Sequence, residues 1–337
     1  AINLHPEYQR RLRWTPSQKS RLIESLLLNI PVPPVFFYES SAARYEVMDG
    51  QQRLNTIREF FAGAFALSGL KVLTPLNGLR YPKAPPRVKR TLDRASLSAI
   101  VLLMESESER PDQGSLSVTD IRRLVFDRLN TGGMKLNAQE LRNAQNPGPL
   151  NEKVVELSRF DLFTEVFGIP AYTEKDPEDF YVNPERQKNS LYKNMKDCEL
   201  VLRYFALRDN ANIRGSMKAM LDRAMEVKLN SAEADAAGEE FKTRFEFLYN
   251  LFDKKPFVLK ASTEGKERVS AALYDASMVA LNNRWDSKDL IEEDKAQVIQ
   301  RMAAANADEY EVLVGRGNTA EAVRDRINLL EKILVPE

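Results

Sequence analysis

The run Tyr45-Glu-Val-Met-Asp-Gly-Gln-Gln-Arg-Leu-Asn-Thr-Ile-Arg58 constrains the fold more than any other stretch. A short strand pattern passes through Asp-Gly directly into a helical one. A helix that starts so abruptly leaves its first N–H groups unpaired and carries partial positive charge there, which suits an anion. Asp49 is the last polar group before the turn, and Gly50 tolerates positive φ or a close approach of ligand to backbone. Gln51 and Gln52 offer amides that donate and accept, and Arg53 offers a donor fork suited to phosphate. Asp-Gly is also an ordinary turn dipeptide that needs no ligand. Spacing alone therefore leaves a phosphate site and a plain turn both open.

Around this run the pattern predicts a small mixed α/β lobe. Thr15 caps a helix over 15–29 with Pro16 in its first position, and Ile30-Pro-Val-Pro-Pro34 ends it. Strands are expected at 35–38, 45–48, 64–67 and 97–104. In the helix from Gln51, Leu54, Ile57, Phe60 and Phe61 are expected to share the buried face. Segment 81–94 is basic and punctuated by prolines, a solvated helix or a nucleic-acid contact. A further helix is expected over 117–129, broken by Asn130-Thr-Gly-Gly133, and Asn137 caps the next. From 150 onward helical periodicity dominates, with Tyr204, Phe205, Phe241, Phe245 and Tyr249 read as core. The fold class is thus α+β: an α/β lobe over 1–115 and a larger all-α bundle over 116–337.

Several chemistries are excluded by what is missing. His5 is the only histidine, so an HNH nuclease centre, a histidine-ligated zinc and a Ser-His-Asp triad have no place in these residues. CxxC, HExxH and GxxxxGK[ST] do not occur, which removes common zinc sites and the P-loop. Cys198, the single cysteine, cannot form an internal disulfide and fits a reducing, cytoplasmic setting. No apolar run approaches the ~20 residues that span a bilayer. The chain is neutral, with 49 basic and 49 acidic residues, but residues 1–94 hold 15 basic against 7 acidic. A basic first lobe and an acidic remainder either place a polyanion on the first or draw the two together.

Five separated strings then follow one another in a single family's order: Tyr8-Gln-Arg-Arg-Leu-Arg-Trp14, Ile30-Pro-Val-Pro-Pro34, Val47-Met-Asp-Gly-Gln-Gln-Arg53, Phe126-Asp-Arg-Leu-Asn-Thr-Gly-Gly133 with Leu136, and Glu140-Leu-Arg-Asn-Ala144. On these residues the first ~145 positions resemble the N-terminal domain of GmrSD-type restriction endonucleases, in the ParB/sulfiredoxin-like superfamily. The resemblance implies a ParB-like lobe, binding of a nucleoside triphosphate with magnesium, hydrolysis in several members, and restriction of modified DNA in anti-phage defence. It extends the site from the lobe into 116–145.

Carried over residue by residue, the resemblance gives Asp49, Gln52 and Arg53 as catalytic candidates, with Asp49 as magnesium ligand or helix cap. The nucleotide-binding set is Gln9, Arg10, Gly50, Gln51, Arg53, Asn130, Thr131 and Gly133. Arg11, Arg13, Lys83, Arg87, Lys89 and Arg90 are the DNA-contact candidates, on charge. Family members work with a histidine-containing nuclease domain, so a separate nuclease subunit is expected here, with DNA as partner, no membrane, and a homo-oligomer left open. The two readings in play are an NTP-hydrolysing DNA sensor and a ParB-like binding switch without turnover. Where the sulfiredoxin branch carries a cysteine at the phosphate turn, this chain carries glutamine.

Overall fold

The architecture is that of a computed structural model, which describes residues 2–3, 14–41, 43–103, 137–172, 183–260, 267–315, 317 and 319–336. The chain divides into two compact units, Ala1–Leu136 and Asn137–Glu337.

In the first unit, strands β1 (Ile2–Asn3), β2 (Val35–Ser41), β3 (Arg44–Asp49) and β4 (Ala99–Leu102) form one mixed sheet in the order β1-β3-β2-β4. β2 runs antiparallel to β3, with Phe37 opposite Val47, and parallel to β4, with Val35 opposite Ala99. The period of two puts Val35, Phe37 and Val47 on one buried face, against Tyr45, Leu54 and Leu97. Helix α1 (Pro16–Leu27) begins with a complete capping box, Thr15 and Gln18 each satisfying the other's backbone. Helix α2 (Gln51–Phe61) follows β3, and α3 (Pro86–Asp93) carries the basic segment. Ile23, Phe60, Leu67, Leu70 and Leu92 make the helical core of this unit.

Two expectations need correction here. No strand forms at 64–67: Leu67 donates to the Leu79 carbonyl and accepts from the Gly78 N–H, one narrow pair that does not extend into a ladder. Nor is the buried face of α2 the apolar one. Its buried residues are Gln51, Gln52, Asn55, Thr56, Glu59 and Phe60, while Leu54 and Ile57 are only half-buried. The expected helix over 117–129 and the break after it lie outside the described residues.

The second unit is a helical bundle, as expected, with one short antiparallel pair, Val258–Lys260 and Glu267–Val269. Its two innermost helices, Lys196–Leu207 and Ala271–Asn283, are buried over most of their circumference, as an all-round apolar pattern requires. Tyr204, Phe205, Phe241, Phe245 and Tyr249 are buried, as read from the sequence. An ionic cluster lies inside this core. Arg203 pairs with Asp275 at 3.0 Å and with Glu199 at 3.3 Å. Burial outweighs the pull of Arg203 and pushes the Asp275 carboxyl up to about 6.

In the first unit one carboxylate organises a whole loop. Glu24 on α1 accepts from the N–H groups of Val72 at 2.9 Å and Leu73 at 2.8 Å. These donors, Leu73 foremost, hold its carboxyl below the ordinary 4.5. Because the folded value is depressed, the stabilisation is complete at neutral pH and is lost as pH falls through that lowered value. Glu24→Ala is expected to cost about 2 kcal/mol at neutral pH, read as a lower urea midpoint. The gap to the parent protein should close on acidification below 4.5.

Candidate functional site

β3 ends at Asp49 and α2 begins at Gln51, so one residue makes the whole turn. Gly50 sits at φ +99°, and a Cβ there would lie 2.4 Å from Val35 Cγ1. Only glycine fits, on both counts. The close approach is to the protein's own strand β2. The first helical bond is Leu54 N–H to the Gly50 carbonyl at 3.0 Å, which leaves the N–H groups of residues 51–53 without intrahelical acceptors. Gly50 supplies no capping side chain.

Arg53 folds back over this turn. Its Nη2 donates to Asp49 Oδ2 at 2.7 Å and to the Pro34 carbonyl at 3.1 Å. The Asp49 carboxylate is 38% exposed, while the guanidinium is largely covered. Asp49 and Arg53 therefore form one preassembled pair at the helix N-terminus, where the helix dipole also favours the carboxylate. An incoming anion would exchange with Asp49 for the guanidinium.

Behind the turn, the buried face of α2 is a polar stripe. Gln52 Oε1 accepts from the Trp14 N–H at 3.2 Å, tying the entry of α1 to α2. Thr56 donates back to the Gln52 carbonyl at 2.7 Å. Glu59, two turns below, pairs through Oε2 with Lys19 of α1, and Lys19 lies 5.7 Å above the Phe65 ring. Asn55 lies between them. It is 1% exposed, and among the described residues neither its Oδ1 nor its Nδ2 has a hydrogen-bond partner. Sequence reasoning missed Asn55 and Glu59. The available signal was the polar spacing 51, 55, 59, which reads equally well as a solvent face.

Of the basic residues, Lys83, Arg87 and Arg90 are exposed on and before α3, and Lys89 is half-buried. Lys89 donates to the Pro82 carbonyl at 3.1 Å and lies over the Tyr81 ring. Gln9, Arg10, Arg11, Arg13, Asn130, Thr131 and Gly133 lie outside the described residues. Glu140-Leu-Arg-Asn-Ala144 is structural: Glu140 closes a capping box on Asn137, and Arg142 Nε pairs with Asp222 at 2.6 Å. Among the described residues no group of three or more His, Cys, Asp or Glu side chains could hold a metal, and no helix is long and apolar enough to cross a membrane.

This turn and its sheet lie in a segment with a recognisable relationship. Residues 2–146 match the family model of the GmrSD restriction endonuclease, N-terminal domain. Over that stretch, somewhat under half of its length, the chain is similar to the N-terminal domain of this restriction family. No curated protein and no solved structure matches the chain. The matched stretch continues past the first unit into the helix Ala138–Gln145.

Gly50→Ala combines left-handed strain with a clash against Val35, and is expected to destabilise by about 2 to 4 kcal/mol. Denaturant unfolding followed by a probe in the first unit would show it.

Proposed function

We propose that this chain is the nucleotide-binding, DNA-sensing component of a modification-dependent restriction system, with the strand-to-helix turn at Asp49 to Arg53 as its phosphate site. The observation that carries this reading is the start of α2. The positive end of the α2 dipole and the Arg53 guanidinium meet at a turn only glycine can make, within the stretch that matches that family model. The chain's own residues would act as follows. The N–H groups of residues 51–53 cradle a phosphate, and Arg53 moves from Asp49 onto it. Magnesium would arrive on the phosphates, needing one or two carboxylates. Asp49 Oδ1, outside the Arg53 pair, is the oxygen offered, and the ion would screen the phosphate charge.

Whether the nucleotide turns over divides two readings of one site. In the first, Gln52 orients an attacking water and the protein hydrolyses the triphosphate. In the second, a ParB-like lobe uses occupancy alone as a switch. The bond from Trp14 to Gln52 favours the second, because it engages the oxygen that would align the water. DNA would be held on the basic lobe through phosphate contacts. Cutting would fall to a nuclease outside these residues, since one histidine cannot build an HNH centre.

Titration of each nucleoside triphosphate with magnesium, by calorimetry, tests the site. Binding is expected for the parent protein and loss of at least tenfold in affinity for Arg53→Ala, in line with one or two lost charge-assisted bonds. Unchanged affinity would reject the assignment. Phosphate release with and without DNA separates the two readings. Charge reversal at Lys83, Arg87 and Arg90 together is expected to weaken DNA binding and flatten its salt dependence. Equal binding at low salt would remove this segment from the interface.

A further inference from the structure

We infer that Asn55 reads the base of the nucleotide held at the α2 turn, a proposal that rests on the nucleotide-site reading and gives it a specificity residue. Asn55 is 1% exposed, yet its carboxamide has neither donor nor acceptor satisfied among the described residues. Folded proteins leave very few such groups, because an open donor or acceptor out of water is costly. Two on one buried side chain need a reason. The neighbourhood does not supply it. Gln52 uses its Oε1 on Trp14, Thr56 bonds back to the Gln52 carbonyl, and Glu59 turns Oε2 to Lys19.

Position supplies a reason. Asn55 lies five residues after Gly50 on the same buried stripe as Gln51 and Gln52, one turn and a half into α2. At 1.5 Å per residue, that sets it roughly 7 Å along the axis from the phosphate cradle. This is about the span from a nucleotide's phosphate to its base. A carboxamide offers one donor and one acceptor side by side, the complement of a base edge that shows an acceptor beside a donor. Glu59 Oε1, one turn further and also unpartnered, could accept from an amino group on the same edge. Solvent is already excluded at Asn55, so a pair formed there is worth more than one at the surface.

The test uses Asn55→Leu, which keeps the branched shape of the side chain and removes both open groups, and compares nucleoside triphosphates with inorganic tripolyphosphate by calorimetry. The parent protein is expected to bind at least one triphosphate more tightly than tripolyphosphate and to rank the four bases. In Asn55→Leu, tripolyphosphate affinity should stay the same, triphosphate affinity should fall about tenfold or more, and the base ranking should flatten. Should Leu prevent folding, Asn55→Ala repeats the comparison. If the variant keeps full affinity and ranking, Asn55 is only a buried amide or a water site, and the inference is overturned while the nucleotide site stands. If the parent protein binds neither ligand, the site reading itself falls.

Discussion

Val35 and Gly50 meet so closely that no side chain could be added between them, and much of the first unit's geometry follows from that contact. The turn must be left-handed, and it must be glycine. It brings the end of β3 and the start of α2 against the first residue of β2, which puts the Pro34 carbonyl within reach of Arg53. Arg53 then has Asp49 on one side and Pro34 on the other. The direction of α2 and the placement of the guanidinium are thus one decision, made where strand gives way to helix. A larger residue at position 50 would not merely strain the turn. It would move the helix start away from the sheet that positions it.

What could be read from the sequence was local. Thr15 and Asn137 were legible as caps because a capping box is written within four residues. Segments 35–38 and 45–48 were legible as strands because alternation against a single core face is short-range, and their pairing adds only a turn. The Asp-Gly-Gln-Gln-Arg turn was legible because helix termini have fixed chemistry. The side of α2 that turns inward was not. Leu54, Ile57 and Phe61 outvote the polar positions in any hydropathy count, but the sheet takes Leu54 and α1 covers the Gln52–Glu59 side. Tertiary contact overrode the pattern. The failed strand at 64–67 has the same cause: a lone pairing of Leu67 with Gly78 and Leu79 needs both partners, and only the fold brings them together. Residues far apart in the chain, such as Arg203 and Asp275, were equally out of reach.

The two units stabilise themselves by different means. The second relies on aromatic packing, with Phe163, Phe241, Phe245, Phe257 and Tyr274 in mutual contact. The first has smaller apolar clusters and compensates with side chains that serve backbone: Glu24 holds residues 72 and 73, and Asn77 Oδ1 accepts from Leu70 N–H. Polar groups inside a small core are costly when unmatched. That is why the matched ones, at Glu24 and Lys19, look like framework, and Asn55, unmatched at both ends of its carboxamide, looks like a place for something else.

The clasp between Asp49 and Arg53 has a thermodynamic corollary. With the two charges cancelled, the turn is locally neutral before anything arrives. An anion that recruits the guanidinium strands a carboxylate beside itself, and two negative groups at contact range repel. A divalent cation would resolve that conflict, so that uptake of anion and of cation would be coupled under the proposed function, each raising the affinity for the other by the same factor. A protein built this way would be indifferent to either species at low concentration and would respond to both together.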